Sequence, residues 1–146
     1  MNPLLEAIAD GWSWKLGRPV ELIATNPFGN AIVRTEAGHY YRITPEEWSC
    51  ELIAESAAEL GIKRAEPDFM RDWAMARLCA LAQATQGPLG EGQVYCLVQS
   101  GVVGGKYEAD NIRKVSLRES LSYSGSMAKQ IDELPDGTQI RIKVRE

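Results

Sequence analysis

The chain has one histidine, three cysteines and two phenylalanines in 146 residues, and 20 acidic residues against 16 basic ones. Each scarcity closes off a class of function. The lone His39 stands on a strand-like segment and has no HxH, HExxH or CxxC spacing around it, so no metal centre is expected. Cys50, Cys79 and Cys96 are odd in number and far apart, which argues against a disulfide framework and fits a reducing cytoplasm. They read as buried thiols. A formal charge of −4 is the wrong sign for a generic nucleic-acid binder, so no direct nucleic-acid contact is expected. No apolar run approaches bilayer-spanning length, and no membrane partner is expected. The first twelve residues, MNPLLEAIADGW, place no basic residue ahead of the apolar ones and do not read as a secretory signal.

Hydrophobic residues make up 45% of the chain, enough for one core, and its length suits one domain over residues 1–146. Pro3–Ala9 reads as a short helix and Val20–Thr25 as a strand. Ala31–Thr35 and His39–Ile43 read as a hairpin turned around Gly38. Thr44-Pro45-Glu46-Glu47 has the form of a capping box with proline at the first helical position, predicting a helix to about Leu60 and a stop at Gly61. A second helix is predicted from Pro67 to just before Gly87, apolar on nearly every side between Trp73 and Ala82 and buried on more than one face. Gln93–Ser100 is apolar on both faces and reads as a central strand covered by helices, with the Phe69/Trp73/Ala76/Ala80 stripe against it. Ile112–Val115 reads as a strand. Ser116–Glu119 forms another capping box, opening a helix to about Leu134. Pro135-Asp136-Gly137 reads as a turn. Thr138–Val144 alternates like a half-exposed strand. The expected fold is a single α+β domain, a mixed sheet packed by three main helices with a hairpin in the N-terminal half.

Two features could carry binding. Glu47, Glu51, Glu55 and Glu59 recur every four residues, so on the predicted helix they would form one acidic ridge unrelieved by Lys or Arg. Such a ridge is either a solvated face or a docking surface for a basic partner. Gly101–Gly105 forms a glycine loop, with Gly104, Gly105, Lys106, Tyr107 and Asn111 as a candidate ligand loop. It lacks the strand–helix context of a dinucleotide fingerprint and the GK[ST] of a P-loop. Its plainer reading is a backbone that needs positive φ. No catalytic, cofactor or metal-binding residue is assigned, because acid, base and nucleophile cannot be assembled from any visible motif.

Several short motifs together resemble a bacterial domain family. They are Phe28-Gly29-Asn30, Tyr40-Tyr41-Arg42-Ile43-Thr44-Pro45-Glu46-Glu47, Gly87-Pro88-Leu89, Tyr95-Cys96-Leu97, Gly104-Gly105-Lys106-Tyr107 with Asn111, Ser124-Gly125 with Gln130-Ile131, and Leu134-Pro135-Asp136-Gly137. The family is named for the C-terminal domain of type VI secretion immunity proteins that neutralise DNase toxins. The resemblance implies a cytoplasmic, non-enzymatic α/β domain whose partner is a cognate toxin. The alternative left open by the residues is a small-ligand or regulatory domain using the loop around residues 101–107.

Overall fold

Among the described residues the strands divide between two antiparallel sheets, one of four strands and one of two. The computed structural model describes residues 2–134, over which five helices and six strands give an α+β fold. Helix α1 (Pro3–Leu16) starts where Asn2 Oδ1 accepts from the Leu5 N–H at 2.9 Å, and it continues well past Ala9, through Trp12 and Trp14. The larger sheet follows in chain order, β1 (Pro19–Thr25), β2 (Ala31–Thr35), β3 (Tyr40–Thr44) and β4 (Ser49–Ala54). The expected hairpin is β2–β3.

The helix expected from Thr44 to Leu60 is not there. Thr44 makes no side-chain cap, and Pro45–Glu47 complete only a single 3-10 turn. Trp48 then takes a left-handed conformation, φ 47°, and reverses the chain. Ser49–Ala54 pairs back onto β3 as β4. Cross-strand pairing and burial of Cys50 and Ala54 outweigh the local capping signal. The helix start lies further on: Ser56 Oγ accepts from the Glu59 N–H at 3.1 Å, opening α2 (Ala57–Ala65). The acidic ridge is therefore dispersed over a turn, a strand, a bend and a helix.

The second predicted helix is two, α3 (Pro67–Ala74) and α4 (Ala76–Gln86), separated by Met75 at φ 48°. It is not buried on more than one face: Ala74, Arg77 and Ala80 are exposed and only Ala82 is fully buried in α4. Phe69 and Trp73 pack on the four-stranded sheet rather than on the 93–100 segment, and Ala76 and Ala80 face solvent. Among the described residues that segment is not a central strand of a mixed sheet. As β5 (Gln93–Leu97) it pairs there only with β6 (Ile112–Ser116). Both faces are nevertheless covered, which explains its apolar sequence: Tyr95 and Leu97 lie in a core with α4, and Val94 in a core with α1 and α5. Its other edge receives the turn between β1 and β2, where the Tyr95 N–H donates to the Pro27 carbonyl at 2.8 Å.

Helix α5 (Leu117–Asp132) begins as expected, with Ser116 Oγ accepting from the Glu119 N–H at 3.0 Å. It packs on α1 so closely that a Cβ on Gly125 would overlap the Gly11 backbone. The turn at 135–137 and the strand at 138–144 lie outside the described residues.

Candidate functional site

Side chains alternate across a strand, and in the larger sheet the two faces have different work. Ala31, Val33, Ile43 and Cys50 share a core with Ile8, Trp12 and Leu121 of the two terminal helices. The opposite face is split. Ile32, Tyr40 and Ala54 are covered by Leu60 of α2 and Phe69 of α3. Further along, the same face turns polar, with Arg42 opposite Glu51 and Thr44 opposite Ser49 in register. These four, together with Asn30, Glu46, Glu47, Asp72, Met75 and Tyr107, line a cleft of about 350 Å³.

Asn30 is the hub. Its Nδ2 donates to Glu46 Oε1 at 2.7 Å and Oε2 at 3.0 Å. Its Oδ1 accepts from Arg42 Nε at 3.2 Å and Nη2 at 2.9 Å. Arg42 turns its remaining nitrogen, Nη1, to Asp72 Oδ2 at 2.5 Å. The guanidinium carbon also lies 5.2 Å from the Trp73 ring centroid and 5.6 Å from that of Phe69, within cation–π range. Arg42 thus ties α3 to the sheet. Asn30 is held in turn by the turn before β2: Asn26 Oδ1 accepts from the Phe28 and Asn30 N–H groups, and Asn26 Nδ2 donates to the Trp73 carbonyl.

The glycine loop forms the far wall. Ser100 Oγ donates to the Glu46 carbonyl at 2.9 Å, and the Tyr107 hydroxyl donates to Glu47 Oε1. Gly104 has φ 91°, as the loop reading requires. Gly105 is needed for another reason, since a Cβ there would overlap the Gln99 carbonyl oxygen. Asn111 spends its side chain within the loop, accepting from the Gln99 N–H and donating to the Gln99 and Lys106 carbonyls. Gly104, Gly105 and Asn111 shape the loop, Lys106 is exposed, and Tyr107 is the candidate that reaches the cleft.

Four carboxylates line this cleft against one guanidinium. Glu46 is 4% exposed, and burial raises its pKa from 4.5 to about 7 despite the Asn30 hydrogen bonds. Burial, then the adjacent Glu47 carboxylate, raise the Tyr107 pKa and keep the phenol a donor. At the thiols burial outweighs the nearby cations, Lys15 at Cys50 and Arg113 at Cys96. Burial pushes Cys50, which lies on β4 and not on a helix, up to about 12, and also raises Cys79 and Cys96. Among the described residues no group of three or more His, Cys, Asp or Glu side chains is placed to hold a metal.

Of the acidic quartet, Glu47 and Glu51 meet in the cleft. Glu55 and Glu59 instead serve the start of α2, where Glu59 Oε2 accepts from the Glu55 N–H at 2.8 Å. Sequence reading gave no binding role to Asn30, Arg42 and Glu46, which stand in the motifs of the resemblance, and did not single out Asp72. The usable signal was Pro45-Glu46-Glu47 between two segments with strand character. An acidic residue in such a tight turn between paired strands is well placed to be enclosed by them.

The described residues thus form an α+β fold with one acidic cleft. The family model described as T6SS immunity protein Tdi1, C-terminal, matches residues 54–128, just over half of the chain, and the chain belongs to that family. The matched stretch contributes Asp72, Met75 and Tyr107 to the cleft; the residues before it contribute Asn30, Arg42, Glu46, Glu47 and Glu51. No curated protein matches. The fold is similar to that in the crystal structure of Atu4351 from Agrobacterium tumefaciens, with a TM-score of 0.55 at 19% identity over 86% of this chain. The chain spans 65% of that protein's length, and the likeness is one of fold. No helix of the described residues is long and apolar enough to cross a membrane.

Proposed function

We propose that this protein is a non-enzymatic, cytoplasmic immunity protein that neutralises a cognate secreted toxin by binding it directly. Membership of a type VI secretion immunity family supports the class of function. The acidic cleft is the observation that carries the mode: Glu47, Glu51 and Asp72 stand at an opening whose floor is Glu46. A concentration of negative charge suits a basic partner, such as the DNases that the resemblance implies, because complementary fields steer encounter and fix register. Nucleases present cationic surfaces to phosphate, so an acidic protein can occupy the same site without any chemistry of its own.

The test uses a cognate toxin, sought among the genes that neighbour this one. Co-expression with the wild-type chain should restore growth of cells making that toxin, and the purified pair should form a complex. The Glu47→Gln/Glu51→Gln double variant should fold normally and bind more slowly at low salt. Growth that is not restored, with no complex at micromolar concentrations, would sink the proposal. The small-ligand alternative on the 101–107 loop has less support, since the loop's own side chains are largely spent on the loop.

A further inference from the structure

We infer that the cleft is a receptor for a single guanidinium or ammonium group, with Glu46 as its floor. The inference rests on the proposed binding role only for the owner of that group, an Arg or Lys side chain of the toxin.

The lining dictates the chemistry of the guest. Glu51 and the second oxygens of Glu47 and Asp72 receive no hydrogen bond from the described residues, and Thr44 and Ser49 add hydroxyls. A carboxylate only accepts, so the complementary guest is one that only donates, and Arg and Lys heads are the side chains of that kind. Recognition of a planar guanidinium by several carboxylate oxygens is the stronger of the two cases.

A separate observation points to the same guest. Glu46 is only 4% exposed, yet no Lys or Arg of the described residues lies within ion-pair distance of it. Buried carboxylates are ordinarily paired with a cation. The chain has a guanidinium close by and diverts it: two nitrogens of Arg42 go to the Asn30 carbonyl oxygen and the third to Asp72. The Asn30 amide stands between the two groups and gives Glu46 one neutral donor group for a carboxylate with about four acceptor sites. The floor of an open cleft thus holds a carboxyl group that Arg42 influences from beyond the Asn30 amide but does not pair with.

Release of a proton on binding follows from that arrangement. With the cleft empty, burial lets Glu46 keep its proton up to about pH 7. An adjacent cation favours the ionised form, so on binding the O–H bond breaks, the proton passes to solvent and the carboxylate pairs with the guest. The charged and titratable groups around it are Arg42 of β3, Glu47 of the 3-10 turn, Glu51 of β4, Asp72 of α3, Cys79 of α4 and Tyr107 of the loop. Cys79 and Tyr107 have raised pKa values and keep their protons at neutral pH.

The experiment needs no toxin. N-acetylarginine amide is titrated into the full chain at pH 6 and pH 8 by NMR, with N-acetylcitrulline amide as a probe of the same shape without charge. Calorimetry at pH 6.5 in buffers of different ionisation enthalpy counts protons. The arginine probe should move the amide resonances of Asn30, Thr44, Glu47 and Ser49, bind severalfold more tightly at pH 8 than at pH 6, and release protons; the citrulline probe should do none of these. Glu46→Gln should abolish both the pH dependence and the proton release. Glu51→Gln, an exposed change, should weaken binding at both pH values and keep the dependence. Equal response to citrulline, perturbation away from the cleft, no proton release by the wild-type chain, or an unchanged pH dependence in Glu46→Gln would each overturn the inference. A toxin that binds when the arginine probe does not would overturn it while leaving the immunity role standing. A probe that binds when the toxin does not would do the reverse.

Discussion

The side-chain amide of Asn30 separates two groups that would otherwise pair: its Nδ2 faces both carboxylate oxygens of Glu46, and its Oδ1 faces Arg42. The amide orientation is fixed by those neighbours, since only the nitrogen can serve an acceptor and only the oxygen can serve a guanidinium. Both Asn30 and Glu46 are buried, so removing one leaves the other without an equivalent partner. Asn30→Ala should cost about 1–3 kcal/mol in chemical denaturation, the penalty for leaving buried polar groups unpaired. Asn30→Asp should be worse at pH 8 than at pH 5, because it sets a second carboxylate against Glu46.

The raised pKa of Glu46 makes stability depend on pH in a defined direction. The unfolded chain loses this proton near 4.5 and the folded chain near 7. Between those values the folded state holds a proton that the unfolded state has lost, so stability falls as pH rises. The contribution is fully present below about pH 4.5 and gone above about pH 7, on the order of 3 kcal/mol in all. Urea unfolding across pH 5–8 should show the decline, and Glu46→Gln should flatten it. A slope that persists in the variant would assign the effect to other groups.

Two hydroxyls distinguish the real helix start from the apparent one. Ser56→Ala should cost about 1 kcal/mol, because Ser56 Oγ caps α2. Thr44→Ala should carry no capping penalty, since Thr44 makes no cap. Comparable losses for the two variants in thermal or urea unfolding would contradict the assigned elements.

Phe69→Ala should cost about 3–5 kcal/mol. Its ring is buried between α3 and the larger sheet, stacks on Trp73 at 6.3 Å and faces Arg42. The loss should extend to the cleft, because Arg42 would lose one of its flanking rings. Urea unfolding gives the stability, and broadened amide resonances at Asp72 and Met75 would report the loosened α3. An unchanged midpoint would refute the packing described for α3.

Gly104→Val and Gly105→Val should both destabilise, by different routes. At Gly104 the β-branched residue must adopt φ 91°, a penalty of about 1–2 kcal/mol. At Gly105 the side chain meets the Gln99 carbonyl, so the loop must move. The Gly105 variant should therefore shift the Tyr107 and Glu47 resonances more than the Gly104 variant does. Equal, purely local shifts would show that the loop absorbs both changes without disturbing the cleft wall.

The paired strands β2 and β3, the α5 cap at Ser116 and the glycine at position 104 were all legible because their determinants are local. A hairpin pattern, an S-x-x-E box and a positive φ each need only a few adjacent residues. Met75 was not legible, because nothing in its side chain favours a left-handed backbone, and tertiary contacts on α3 and α4 impose it. The S-x-x-E box at Ser56–Glu59 was as plain as the one at Ser116, but the stronger-looking proline signal at Thr44–Glu47 masked it.

The sequence by itself determined the α+β composition, the absence of a metal-ligand or disulfide pattern, and the excess of acid. Those depend on residue types and short periods. Only the tertiary structure decided where the acid acts. A four-residue spacing makes a ridge on a helix, but the 44–54 segment is a turn and a strand, where that spacing means something else. Folding sent Glu47 and Glu51 to one place and Glu55 and Glu59 to another. It also enclosed Glu46, which has nothing in its neighbouring sequence to mark it apart from Glu47, behind Asn30, Arg42 and Ser100. Burial and charge separation arise between elements distant in sequence, so the cleft exists only once β2, β3, β4, α3 and the glycine loop have met.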